Sequence, residues 1–306
     1  MTEKVARVLS RSLIHIVIIS ICLIWTLPSF GLLVNSFRSR RDIVARGWWS
    51  TFKTPFAFTV ENYLEVLTGQ PQYGPKKATD SRPSILRDII TGRGMGRAFL
   101  NSLIISIPST LIPILIASFA AYALAWMRFS GRDFLFIVVV ALLVVPLQMT
   151  LIPILRLYKG LQLAGTFLGV WLAHTAYGLP YAIYLLRNFF RSLPGDLLES
   201  AALDGASQFH IFCRIVVPLS IPAIASLAIF QFLWVWNDLL VALIYLGGTR
   251  DVAPLTIHIS SMMSSLGENW HLLPVGAFIS MALPLIIFAT LQPYFVRGML
   301  AGSVKG

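Results

Sequence analysis

The chain has 306 residues, of which 57% are hydrophobic and only 12% charged, and its formal net charge is +11. Soluble domains carry about 25% charged residues, so this composition excludes an ordinary soluble domain and a disordered chain. Two cysteines give no disulfide framework, and the histidines form no spacing that suits a metal site. We therefore expect a polytopic membrane protein without a metal.

Six runs of the chain are long and apolar enough for transmembrane helices, which need about 20 such residues. They cover residues 13–34, 99–125, 134–155, 166–186, 221–246 and 272–291. None shows the alternation of a barrel strand, so each run is predicted to be helical. The sequence therefore predicts an all-α membrane protein with six transmembrane helices.

The distribution of lysine and arginine predicts that both termini are cytoplasmic. The inner segments of this topology carry Lys4, Arg7, Arg11, Arg128, Arg132, Arg187, Arg191, Arg214, Arg297 and Lys305. The two short outer loops carry only Arg156, Lys159 and Arg250. The long outer segment 35–98 is also basic, but the charge rule weakens for loops of about 60 residues. Residues 1–12 and 292–306 are then cytoplasmic ends.

The inner segment 194–218, between the fourth and fifth predicted spans, is nearly uncharged. Pro194-Gly195 predicts a break, and Asp196 is a good N-cap with Glu199 in capping-box register. A short helix over 197–203 should follow and end at the Asp204-Gly205 pair.

A second short amphipathic piece is predicted over 206–216, with Phe209, Phe212, Ile215 and Val216 on one face. Two short helices that meet at a glycine and carry little charge are unlike a solvated loop. We interpret the segment as a docking surface on the cytoplasmic side.

The spacing Glu199-x-Ala201-x3-Gly205-x9-Ile215-x2-Pro218 resembles the EAA coupling loop in the membrane subunits of binding-protein-dependent ABC importers. Five positions across twenty residues agree. The loop departs from the family pattern at Ser200, where alanine is usual, and at Val217, where leucine is commoner.

Two further stretches resemble the carbohydrate importers of this group. Residues 232–240 (FLWVWNDLL) are similar to their fifth-span signature, and the tail 292–306 is similar to the C-terminus of the maltose-type second permease subunit. The opening 35–38 (NSFR) is similar as well. Within the group, the chain looks closest to members that handle α-glucosides and related small glycosides.

The resemblance implies a type I importer permease fold, with residues 99–291 as the core domain and 194–218 as the cytoplasmic coupling helix region. It implies half of a sugar pathway in a prokaryotic plasma membrane, with three kinds of partner: a homologous second permease, two copies of a cytoplasmic ATPase and an extracytoplasmic sugar-binding protein. The residues matched to ATPase coupling are Glu199, Ser200, Ala201, Asp204, Gly205, Ala206, Ile215 and Pro218.

No G-x-x-x-x-G-K-[ST] phosphate-binding loop occurs in the chain. We therefore expect no enzyme activity and no cofactor of its own, with ATP bound by the partner subunits. Glu199 has a simpler alternative role, since it could only cap its own helix.

Asp238 is the only acid inside a predicted span, and a charge in lipid indicates function by default. Gln231 lies seven residues earlier and so on the same face of a continuous helix. Together with Trp236 and Asn237, these residues are candidates for lining the pathway, because amides and carboxylates suit sugar hydroxyls. In the alternative, Asp238 lies near the outer end of its span, and the sugar contacts fall mainly on the partner permease, as they do in maltose-type systems.

An ion-coupled secondary transporter is the alternative function. Such carriers usually show internal repeats and several intramembrane acids, whereas this chain has one acid and a large inner segment. An intramembrane enzyme would need clustered acid–base or nucleophilic residues, which the sequence does not offer.

Overall fold

A computed structural model describes residues 3–53, 58–69, 89–90, 94–249, 251–263 and 270–301. Its α-helices, in chain order, are α1 (Glu3–Ser36), α2 (Arg40–Ala45), α3 (Glu61–Thr68), α4 (Met95–Trp126), α5 (Arg132–Leu142), α6 (Leu147–Gly160), α7 (Phe167–Arg191), α8 (Gly195–Leu203), α9 (Gln208–Ile211), α10 (Val217–Leu219), α11 (Ile221–Trp236), α12 (Leu240–Leu246), α13 (Leu255–Met262) and α14 (Leu273–Ala301). Short 3-10 segments cover Trp48–Phe52 and Trp270–Leu272, and a π-helix covers Phe212–Val216. Within these residues the extended structure is a single bridge between Arg38 and Phe58. The all-α prediction is confirmed.

Three helical stretches of the described chain are long and apolar enough to cross a membrane by themselves: Ser12–Ser36, Met95–Trp126 and Trp270–Gln292. Two bent pairs raise the number to five if each pair is one span. In the first pair, α5 and α6 meet at 99°, and in the second the helical stretch Gln208–Leu219 meets α11 at 74°. The predicted span 166–186 lies in α7, which has 25 residues but is less apolar.

Two of the predicted spans are interrupted rather than continuous. The run 134–155 breaks before Pro146, which has no N–H to extend α5 and serves as the N-cap of α6. The run 221–246 breaks after Trp236 and resumes at Leu240. Apolar composition identified both runs, but it could not locate the breaks inside them.

The chain divides into two compact units, Met1–Gly96 with Ile259–Ile279, and Arg97–His258 with Ser280–Gly306. In the first unit α1 is followed by the short helices α2 and α3. Residues 70–88 of that segment lie outside the described residues.

Arg38 organises the chain just after α1. It is 4% exposed, and its guanidinium donates to Asn35 Oδ1 at 2.9 Å and to the carbonyls of Asp42 and Arg46 at 3.0 and 3.1 Å. Burial lowers the pKa of Arg38, Asp42 raises it in part, and Arg46 lowers it further. The buried cation is thus satisfied mainly by oxygens of the turn that it closes.

The second unit has two apolar cores. One joins the ends of α4 and α7 to α8, the π-helix and α11 around Phe190, Ile211 and Val216. The other joins α4, α6, α7, α11, α12 and α13 around Val170, Val241 and Tyr245. The first core fixes segment 194–218 onto the membrane helices.

Prolines inside the helices leave carbonyls without their usual donor four residues later, and side chains from other helices replace that donor. Pro108 frees the carbonyl of Ile104, which accepts from Trp171 Nε1 on α7 at 2.9 Å. At the end of α7, the carbonyl of Phe190 accepts from Trp126 Nε1 on α4 at 3.0 Å and from the Leu193 N–H at 3.3 Å. These bonds tie α4 to α7 at two levels.

Candidate functional site

The helix α8 begins earlier than the sequence predicts. It starts at Gly195 with Pro194 as its N-cap, and no side chain caps it. The predicted N-cap at Asp196, with Glu199 completing a capping box, is therefore wrong. Pro194 holds φ at −60° with ψ at 121° and has no N–H, so the helix starts directly behind it. Asp196 lies in the first turn, where its charge favours the helix dipole.

The end of α8 follows the prediction. Gly205 has φ +82°, and the Ala206 N–H donates to the Ala201 carbonyl at 3.0 Å while the Gly205 N–H donates to Ala202 at 3.1 Å. These two bonds form a Schellman motif, which requires a left-handed residue after Asp204. The predicted helix end at the Asp204-Gly205 pair is confirmed.

Exposure along α8 and α9 separates an anchoring side from an open side. Leu198 is buried at 6% exposure, whereas Leu203 is 88% exposed and Phe209 is 67% exposed. Glu199, Ser200 and Asp204 are also exposed. We name Leu197, Leu203 and Phe209 the coupling surface. Large apolar side chains that stay exposed on a loop between membrane helices indicate a protein partner.

The second piece of the loop is not one regular amphipathic helix. After α9, Val217 N–H donates to the Phe212 carbonyl five residues back, as in a π-turn. The buried face therefore contains Ile211, Phe212 and Val216, and the prediction that Phe209 belongs to it is wrong. Ile215 is partly buried.

Pro218 is exposed and lies in α10, directly before the 74° bend into α11. Pro218, the last position matched to the coupling-loop pattern, thus lies at the bend where the loop enters the fifth predicted span.

The loop is fastened to α4 by polar and aromatic contacts. Tyr122 Oη donates to Gln208 Oε1 at 2.7 Å, and the ring of Phe212 lies 4.8 Å from Phe119 and 5.3 Å from Tyr122. A displacement of the loop would therefore be passed to α4 through packed side chains rather than through a flexible linker.

Asp238 lies in the break between α11 and α12. Its Oδ2 accepts from the Ala242 N–H at 3.0 Å and its Oδ1 from the Val241 N–H at 3.4 Å, so it caps the start of α12. His174 Nε2 on α7 lies 3.8 Å from the same carboxylate. The side chain of Asp238 is only 12% exposed. The charge is thus held by helix N–H groups inside the bundle.

Asp238→Ala should destabilise the purified chain by about 1–2 kcal/mol, because two N–H groups at the start of α12 lose their acceptor. Asp238→Asn, which keeps one acceptor oxygen, should retain most of the stability. Thermal unfolding in detergent measures both changes. Equal losses in the two variants would mean that the charge facing His174, and not the cap, supports the fold.

Gln231 and Trp236 satisfy carbonyls that prolines have freed. Gln231 Nε2 donates to the Ser109 carbonyl at 3.2 Å, the one left open by Pro113. Trp236 Nε1 donates to the carbonyl of Ser280 at 3.0 Å, four residues before a proline in α14. Both side chains are buried, at 5% and 2% exposure.

This placement corrects the expected common face of Gln231 and Asp238. The helix ends at Trp236, before Asp238, so the seven-residue spacing no longer places the two side chains in line. Asn237 is the exposed member of the four candidates, and its Nδ2 donates to the Leu233 carbonyl at 2.8 Å. Contact of any of the four with substrate stays a prediction.

Trp234 is a neighbouring residue that the candidate set omits. It is 38% exposed, and its indole meets the His174 ring edge-to-face at 5.2 Å. Trp234 and Asn237 are three residues apart, so they share the open face of α11. The three-residue spacing of Trp234 and Asn237 was the one feature of the sequence that could have added Trp234 to the candidates. Using it requires knowing which face of the helix is buried.

Residues 99–300 match the family described as "Binding-protein-dependent transport system inner membrane component". The chain belongs to this family. Membership identifies it as a membrane permease component with the all-α fold expected from the sequence, and it gives no support to an ion-coupled secondary carrier. The permease is accordingly a multi-pass protein of a prokaryotic inner membrane.

Relatives of the permease match it over nearly their whole length. It is 60% identical over 292 residues to the osmoprotective compounds uptake permease protein of Synechocystis sp., covering 95% of this chain and 91% of the relative. It is 42% identical over 367 residues to the alpha-glucoside transport system permease protein of Rhizobium meliloti, covering 96% and 97%.

A solved structure shares the fold. A chain from a bacterial ABC transporter involved in the import of the acidic polysaccharide alginate superposes with a TM-score of 0.71, covering 96% of this permease and 99% of that chain. The two sequences are 20% identical, so the likeness concerns the fold alone.

Proposed function

We propose that this permease forms half of the translocation pathway for a small uncharged glycoside in an ABC importer. A homologous second permease would form the other half, two copies of a cytoplasmic ATPase would supply the energy, and an extracytoplasmic binding protein would deliver the sugar. The names of two relatives support this substrate class, since one takes up alpha-glucosides and the other osmoprotective compounds.

The coupling surface is the observation that carries the proposal. It presents Leu203 and Phe209 outward, while Leu198 and the π-helix anchor the same loop in the first apolar core. An ATPase that binds this surface would therefore transmit its movement directly to α4 and α7. Glu199, Ser200 and Asp204 form the exposed polar edge of the contact, Ala201 and Ala206 close the Schellman motif, and Ile215 and Pro218 direct the loop into α11.

The same assignment fixes the orientation. The loop must face the cytoplasm, where the ATPases are, and the basic residues on its side agree with this. Both termini are then cytoplasmic, and the outer segment 35–98 faces the binding protein.

For the pathway we propose the open face of α11. Asn237 offers an exposed amide to sugar hydroxyls, and Trp234 offers an indole face that can stack on a pyranose ring. Gln231, Trp236 and Asp238 would act through the shape of this region, because their polar atoms are engaged with backbone groups.

Leu203→Ala should lower the amount of ATPase that co-purifies with the assembled permease while leaving its thermal stability within about 0.5 kcal/mol, because the side chain is exposed. Leu198→Ala, the buried counterpart on the same helix, should cost about 2–5 kcal/mol of stability. Retained ATPase with Leu203→Ala would contradict the docking role of this surface.

The substrate class is tested by transport in proteoliposomes that hold the complete importer. An α-glucoside delivered by the binding protein should accumulate only with ATP inside, and a charged osmolyte such as betaine should not compete. Uptake driven by an ion gradient in the absence of ATP would contradict the proposed mechanism, and preference for betaine would contradict the substrate class.

A further inference from the structure

A surface cleft of about 400 Å³ lies where α4 leads into α5. It is lined by Arg128, Phe129, Gly131, Arg132, Asp133 and Phe134. The cleft combines two guanidinium groups with two aromatic rings on one short stretch of chain. Neither the coupling loop nor the proposed pathway uses any of these residues.

Arginines from the end of α7 add to the charge at the cleft. The Arg187 guanidinium lies 4.0 Å from the centre of the Phe136 ring on α5, and its Nε is buried without a hydrogen-bond partner among the described residues. Arg187 follows the predicted fourth span directly. Burial lowers its pKa, the nearby charges of Arg191 and Arg132 lower it further, and Asp133 opposes them.

The local charge balance is strongly positive. Arg128, Arg132, Arg187 and Arg191 contribute four guanidinium groups to this part of the chain. Asp133 is the one acid in this group, and its Oδ1 already pairs with Arg132 Nε at 3.3 Å. Like charges gathered at a partly buried site repel each other, so an anion bound there would relieve the repulsion.

The cleft continues into an apolar surface. Phe134, at its edge, is 72% exposed, and Leu135 and Ile137, which follow it in α5, are 47% and 64% exposed. These side chains belong to the third predicted span, so an exposed apolar surface extends from the cleft along this span. A ligand that fills the cleft and follows α5 needs an anionic head and an apolar tail.

We propose that this cleft binds the headgroup of an anionic phospholipid of the inner leaflet. The phosphate is held by Arg132 and Arg187, which offer planar donor groups suited to phosphate oxygens, with Arg128 and Arg191 adding charge. The acyl chains lie along Phe134 and Ile137. The lipid thereby bridges α5 and the end of α7. The apolar continuation favours a lipid over free phosphate.

The proposal is tested by native mass spectrometry of the full-length permease in detergent, with phosphatidylglycerol or phosphatidylcholine added. The wild type should retain phosphatidylglycerol in preference. Each arginine removed should weaken retention about fivefold, so the double variant Arg132→Gln/Arg187→Gln should lose about 25-fold. The control Arg156→Gln/Arg214→Gln removes the same charge from exposed positions outside the cleft and should stay within about twofold of the wild type.

The conservative pair Arg132→Lys/Arg187→Lys keeps the charge that directs membrane insertion, and it should retain phosphatidylglycerol within about threefold of the wild type. It keeps the test valid if the glutamine variant fails to fold. Equal retention of both lipids, or an equal loss in the control pair, would overturn the proposal. It would mean that these arginines direct membrane orientation but do not bind a lipid. Displacement of phosphatidylglycerol by excess inorganic phosphate would assign the cleft to a soluble anion and would overturn it as well.

Discussion

Gly205→Asp should abolish substrate uptake while the membrane helices still assemble. The backbone strain is small, because a left-handed conformation costs a non-glycine residue about 1–2 kcal/mol and a Cβ added at Gly205 would meet no atom within 4 Å. The added charge decides the outcome. It would stand beside Leu203, which is 88% exposed and is proposed to be covered by the ATPase.

Burying an unpaired carboxylate in that contact should cost several kcal/mol, and each 1.4 kcal/mol is a factor of ten in affinity. We therefore expect the ATPases to be lost from the purified complex or uncoupled from substrate, with normal levels of the permease in the membrane. Uptake and ATPase co-purification measure the two effects.

Gly205→Asn is the matched control for this prediction. Asparagine has nearly the same shape as aspartate and tolerates the left-handed region, but it carries no charge. It should keep most of the uptake. Near-normal uptake by Gly205→Asp would refute the coupling role, and an equal collapse in both variants would assign the effect to the turn geometry rather than to docking.

Gln231→Leu should destabilise the permease by roughly 1–2 kcal/mol, because the carbonyl of Ser109 then lies buried without a donor. Leucine is similar in size to glutamine, so little packing is lost. The residue is 5% exposed, which keeps water from replacing the lost bond. Thermal unfolding in detergent measures the change.

Combining Gln231→Leu with Pro113→Ala tests whether the loss of stability comes from the unpaired Ser109 carbonyl. Alanine restores an N–H at position 113, which can donate to Ser109 within α4, so Gln231→Leu should become nearly neutral in that background. A loss of the same size in both backgrounds would mean that Gln231 contributes packing alone. Gly178→Ala offers a second approach, since its Cβ would come within 2.6 Å of Gln231 Nε2 and push the amide away.

Local chemistry in the sequence determined the fold class and the end of α8. A chain with so little charge can satisfy its backbone in lipid only through helices, so runs of apolar residues sufficed to locate them. The Asp204-Gly205 pair sufficed to predict where α8 ends, because the Schellman bonds that end it join residues no more than five positions apart. Such features need no knowledge of distant neighbours.

The tertiary structure was needed to locate the breaks inside the predicted spans. It was also needed to decide which faces of the helices are buried. Whether Asp238 continues a helix or caps the next one depends on the interruption after Trp236, which apolar composition does not mark. In the second piece of the loop, Phe209 is exposed and Ile211 is buried, against the face that the regular helical period predicted.

The pathway candidates show the same limit. Gln231 donates to a carbonyl 122 residues away in the chain, and Trp236 to one 44 residues away. A proline reveals in the sequence that a carbonyl has lost its donor. Which side chain replaces that donor is decided only when the helices pack, because the partner is set by distance in space and not by spacing along the chain.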